Sequence, residues 1–159
     1  MSSRPLDEAS VAPSPATRFA TRLGGVAVAL PAGTPLEFVA DAAIHPLPLA
    51  PARIAGLMQL RGQPLVVLDA SARPAGVATI ERRDVLVMGR LPQAAALLVD
   101  GPPRPLVDGQ WHPVRSAPPD CAFASAIDVA GQAPWPARDA GEALHEIDPE
   151  RLFAALLGG

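Results

Sequence analysis

At 159 residues the chain is long enough for one domain with a sizeable core, or for two small lobes that share one. Its formal net charge is −3, and its 13 basic residues, all arginine, gather in no cluster longer than Arg82-Arg83, which excludes the cationic stripe that nucleic-acid binding requires. Only 4% of the residues are aromatic, so the core must be built from Val, Leu, Ile and Ala, and no apolar run approaches the ~20 residues of a membrane span.

Met1 to Ala16 carries too little apolar surface to offset its ordering entropy and is expected to be a disordered tail. It lacks the charged-then-apolar order of a signal peptide. Arg18 to Leu23 alternates weakly, Gly24-Gly25 signals a hairpin, and Val26 to Leu30 returns as a strand before Pro31, Gly33 and Pro35 interrupt it. Leu36 to Ile44 reads as a strand with a short helical insert. Leu47 to Asp69 then predicts a Pro-rich approach, a helical turn, an apolar strand over Leu57–Leu60, a tight turn at Arg61-Gly62, and a returning strand over Leu65–Leu68 closed by Asp69. Arg61 therefore sits at the tip of an apolar hairpin. Its guanidinium is always charged and offers a rigid fork of donors suited to a carboxylate or carbonyl. From spacing alone, the plainer reading is an exposed turn arginine that only keeps the hairpin soluble.

Ala70 to Ala78 is small, polar and Gly/Pro-containing, and marks the expected lobe boundary. Asp84–Met88 predicts a strand and Gly89–Gln93 a turn. Ala94–Asp100 is near-continuous in apolar character, as expected of a strand buried on both faces. One or two short strands are expected within Pro105–Val114. Cys121, Phe123, Ser125, Ile127 and Val129 alternate onto one face, which predicts a strand ended by Gly131, followed by a loop over Ala133–Gly141. The last element is a helix. Asp148 suits the N-cap, Pro149 the first helical position and Glu150 the positive end of the dipole, while Leu152, Phe153, Leu156 and Leu157 form an apolar stripe.

Reactive constellations are sparse. A phosphate loop is impossible without Lys, and no Gly-x-Ser-x-Gly elbow occurs. His45, His112 and His145 lie far apart with no metal-ligand spacing, and Cys121 falls in an apolar alternation where a small buried side chain is the ordinary outcome, so no metal, cofactor or nucleophile is expected. A lone cysteine supports no disulfide framework and fits a reducing cytoplasm. One enzymatic alternative rests on Asp69 and Asp100, each ending an apolar strand, as an aspartic-protease-like pair. That chemistry needs two carboxylates sharing a proton, and both turns lack a Ser/Thr directly after the Asp, so two turn-stabilising aspartates are the better reading.

Pro48, Pro51, Gly56, Gln59-Leu60-Arg61-Gly62 and Leu65 through Asp69 together resemble the CheW family of bacterial chemotaxis coupling proteins, with Gln59 in place of the usual Asn. Leu97-Leu98-Val99-Asp100 and the closing Ile147-Asp148…Arg151-Leu152 extend the resemblance over roughly Phe19 to Leu157. Ala96 and Phe123-Ala124-Ser125 depart from the family pattern. Many short strands with Gly/Pro turns and one terminal helix already argue a mostly β fold. The resemblance implies two small SH3-like β-barrel lobes packed side by side within one domain over 17–159, the lobes spanning roughly 17–75 and 76–145, with a closing helix over 148–157. It further implies a non-catalytic cytoplasmic adaptor at membrane-associated receptor arrays, linking the cytoplasmic tip of a chemoreceptor to a CheA-type histidine kinase. A divergent member serving type IV pilus twitching motility is the alternative. Arg61, Glu37 and Gln59 are the implied partner-binding residues, whereas Leu57 and Leu60 are expected to pack the barrel.

Overall fold

Short apolar runs separated by Gly and Pro can bury one or both faces only by pairing with distant strands. The computed structural model describes residues 17–71, 79–107, 109–114, 116–127 and 141–158. Within them lie β1 (Phe19–Leu23), β2 (Val26–Ala29), β3 (Leu36–Ile44), β4 (Ile54–Leu60), β5 (Gln63–Leu68), β6 (Glu81–Met88), β7 (Ala95–Leu98), β8 (Arg104–Pro105), β9 (Trp111–Pro113), a 3-10 turn (Ala124–Ala126), β10 (Glu142–Glu146) and α1 (Pro149–Leu157). They form two curled five-stranded sheets, ordered β8-β1-β2-β10-β9 and β3-β6-β7-β5-β4. The architecture is the mostly β, two-lobed one expected, with a single C-terminal helix. The expected tail over Met1–Ala16 lies outside the described residues, as does most of the linker and of the loop over Ala133–Gly141.

The sheets do not follow the lobe ranges 17–75 and 76–145. The chain starts in the first sheet, builds all five strands of the second, and returns to complete the first. β5 and β6, on either side of the expected boundary, both pair with β7. Strand partners far apart in sequence leave no local signal from which this interleaving could be read.

The second sheet explains the continuous apolar runs. On β6 and β7, Val85, Val87, Ala96 and Leu98 point into the curl of their own sheet, with Met58, Leu65 and Val67. Leu86, Met88, Leu97 and Val99 point the other way, onto Leu23, Val28 and Leu30 of the first lobe and onto Leu152 and Leu156 of α1. Each Val, Leu and Met side chain among these contributes roughly 1.5–3 kcal/mol on burial, so the face between the lobes is as much a core as the interior of the second lobe. The first lobe's own interior is smaller: Ala20, Ala29 and Leu144, with Trp111 beside them.

Three local expectations need correction. First, β3 has no helical insert. It is one strand with a bulge between Val39 and Ala42. Second, Cys121–Ile127 is no strand. Successive turns carry the backbone there, and Phe123, Ala126 and Ile127 recur at helical spacing to enter the core between the lobes. Third, β10 is a strand where none was expected, parallel to both β2 and β9. Its two glutamates disguise it, and each is paired: Glu146 with Arg18 at 2.6 Å, and Glu142 with Arg104. Arg18 also stacks 4.8 Å from the Trp111 ring, so one side chain ties β1, β9 and β10. α1 is built as expected, Asp148 accepting the Arg151 N–H at 3.0 Å, although Leu157 is exposed.

The second sheet curls until its edges meet. His45, just beyond β3, and Leu57 on β4 exchange two backbone hydrogen bonds of 2.8 Å each. Gly56 permits this approach: a Cβ there would overlap the His45 carbonyl oxygen and lie 2.8 Å from its carbonyl carbon, both rigid backbone atoms. Gly56→Ala is therefore expected to lower the unfolding free energy by about 2–4 kcal/mol, measured by urea denaturation of the full chain.

Candidate functional site

Arg61 and Gly62 form the two-residue turn between β4 and β5, with φ values of 49° and 77°. Both central residues of such a hairpin turn need positive φ, which favours Asn-Gly. An arginine held there costs about 1–2 kcal/mol of backbone strain. Local conformation therefore does not select an arginine at this position.

That side chain reaches across the open side of the second sheet. Arg61 Nη2 donates to Glu37 Oε1 at 2.8 Å. Glu37 lies on β3 and Arg61 at the end of β4, the two edges of the sheet. The backbone bridge His45–Leu57 joins these edges at one end and the ion pair joins them at the other. The side chains of Arg61 and Glu37 are 65% and 37% exposed. A pair so exposed contributes at most about 1 kcal/mol, so it does little to hold the fold.

Gln59, opposite Pro64, is exposed on β4 two residues before Arg61. The structure thus brings Arg61, Glu37 and Gln59 to one end of one lobe. Leu60 packs against the interior of the second lobe, as expected. Leu57 alternates to the other face, half-buried opposite the exposed Val66. Val66 and the fully exposed Leu49, itself at φ 58°, add apolar surface that the sequence pattern did not single out. Leu49 stands between Pro48 and Pro51, and that confinement was the available signal.

Asp69 and Asp100 serve separate turns. Asp69 is buried, and its Oδ1 accepts the Ser71 N–H at 2.9 Å and the Ser71 hydroxyl at 2.6 Å. Asp100 Oδ2 accepts the Gly25 N–H of the β1–β2 turn at 3.2 Å. Among the described residues no three metal-ligating side chains converge.

Residues 19–154 match the family described as CheW-like domain. Solved structures that match include one described as the scaffolding protein TtCheW from Thermoanaerobacter tengcongensis. It is 22% identical, covers 91% of each chain and has a TM-score of 0.54, a likeness that shows the fold. No curated protein matches the chain.

Because the ion pair is exposed, Arg61→Ala and Glu37→Ala are each expected to change the unfolding free energy by less than about 1 kcal/mol, and the melting temperature by no more than about 4 °C. Thermal and urea unfolding of the two variants check this.

Proposed function

Since the chain belongs to the CheW-like domain family, we propose that it is a non-catalytic adaptor that couples the cytoplasmic tip of a chemoreceptor to a CheA-type histidine kinase. The observation that carries this reading is the placement of Arg61. A charged fork is held in a strained turn, exposed, beside an exposed carboxylate, within the segment matched to the family. Such an arrangement suits recognition. An incoming carboxylate can displace Glu37 from the guanidinium, exchanging one charge-assisted hydrogen bond for another with little loss of stability on either side.

The lobes supply the rest of what an adaptor needs. The apolar core between them fixes their relative orientation, and on this reading a receptor's helical tip docks where the two lobes meet. The kinase's regulatory domain, resembling this chain, docks along strand edges of a lobe. Gln59 adds a neutral donor and acceptor beside Arg61, and Leu49 and Val66 offer apolar contact near the same lobe's surface. No helix among the described residues is long and apolar enough to cross a membrane, and association with membrane-bound receptor arrays in the cytoplasm would come through these contacts.

The test is direct binding of the purified chain to a chemoreceptor tip fragment and to a CheA-type regulatory fragment. Arg61→Ala is expected to weaken at least one of the two complexes by about 5- to 30-fold, the ~1–2 kcal/mol typical of an arginine at a contact surface, while the far-UV and near-UV spectra stay unchanged. Glu37→Ala and Gln59→Ala are expected to weaken it less. Both complexes unaffected by Arg61→Ala would contradict the site, and absence of binding to either fragment by a folded chain would contradict the function.

A further inference from the structure

The ion pair forms only if Glu37 faces the second lobe's interior side, and β3 does not arrive there by simple alternation. Downstream of the bulge, Ala42 and Ile44 are the inward residues, at even positions. Upstream, Val39 is inward, and Leu36 and Phe38 pack against the core between the lobes instead. The inward set has switched from even to odd. The register with β6 shows how. Val39 pairs Val85 and Ala42 pairs Arg83, so Ala40 and Asp41 together oppose Asp84 alone. One extra residue is absorbed and every upstream side chain changes face. Glu37 then pairs Val87, an inward residue of β6, and so stands on the side from which Arg61 approaches.

The bulge is latched by side chains. Asp84 Oδ1 accepts the Asp41 N–H at 3.0 Å. Arg82 Nη1 donates to the Asp41 carbonyl and to Asp41 Oδ2, each at 3.2 Å. Asp41 itself sits at φ 52°, a conformation that needs such support in a non-glycine residue. Without the latch, the upstream half of β3 can slip by one residue into a regular ladder. That slip sends Leu36 and Phe38 into the lobe interior and turns Glu37 toward the other lobe, away from Arg61.

We infer that Asp84 is a positioning residue for the candidate site: by pinning the Ala40–Asp41 bulge it sets the register that delivers Glu37 to Arg61, without itself touching a partner. This rests on the reading of Arg61 and Glu37 as the contact pair, but its test needs no partner. Glu37→Cys and Arg61→Cys are combined in a Cys121→Ser background, which removes the chain's one other thiol, and treated with a short bismaleimide.

Cross-linking is expected to be efficient with Asp84 present, to fall at least ~5-fold with Asp84→Ala, and to persist with Asp84→Asn, whose amide oxygen still accepts the Asp41 N–H. Deleting Ala40 in the Asp84→Ala background removes the extra residue, so that Asp41 alone opposes position 84 and the upstream pairing is kept. Cross-linking is then expected to return, a rescue that simple loss of stability would not produce. Undiminished cross-linking in Asp84→Ala, or no rescue by the deletion, overturns the inference. If Asp84→Ala alone does not fold, the deletion variant decides: folding with full cross-linking supports the latch, and failure to do so overturns it. Cross-linking lost as expected, with partner binding indifferent to Arg61 and Glu37, would leave the latch standing and end the reading of the pair as a contact site.

Discussion

The structure depends on one constraint: β6 and β7 must be buried on both faces. One face fills the curl of the second sheet and the other meets the first sheet and α1. Neither lobe is complete alone. Among the described residues the first has an interior of Ala20, Ala29 and Leu144 with Ala27, Leu106 and Trp111 against them, too little to offset the entropy of ordering its strands. The interface between lobes supplies the missing burial, with Phe123, Ile127, Ile147, Leu152 and Leu156 closing it from one side. The interleaved chain path follows from this. A polypeptide that leaves the first sheet, builds the second and returns ties the halves together at both ends.

The candidate site inherits its rigidity from that frame. Gly56 lets β3 and β4 touch, the backbone bridge at His45 and Leu57 fixes their separation, and the ion pair spans what remains open. The strained turn at Arg61 is carried by a hairpin whose other residues are well paired, so about 1–2 kcal/mol of local cost is tolerated for a side chain at a defined place. In the proposed role, an exposed charge pair on a stiff edge serves as a recognition element that needs no mobile loop and no reacting group.

The β4–β5 hairpin and α1 were legible because their signals are local: a Gly at the turn, a run of Val and Leu, an Asp-Pro-Glu start. Burial of β7 on both faces was legible from Ala94–Val99 for the same reason. Elsewhere the decisive partner lay far away. β10 carries charges that Arg18 and Arg104 neutralise from distant positions in the chain. In sequence the bulge in β3 reads as a helical insert, because an extra residue breaks alternation in the same way as a turn of helix, and only the pairing with β6 distinguishes them. The alternation over Cys121–Val129 pointed to a strand, while the helical spacing of Phe123, Ala126 and Ile127 within it prevailed because that segment closes the core against α1 and not a sheet. Arg61 stands out in the sequence at a hairpin tip and Glu37 only through the family resemblance, and nothing in the sequence says that they meet.

The proposed role, a relay between two partners, requires that the surfaces they engage be held in fixed relation, which for this fold means one cooperative unit across both lobes. Native-state hydrogen exchange of the full chain at increasing denaturant tests this most directly. The slowest amides of β2 in the first sheet, of β6 and β7 in the second, and of α1 should converge on a common opening free energy and a common denaturant slope. First-sheet amides opening at distinctly lower free energy, with the second sheet still protected, would show two separable lobes and contradict the account.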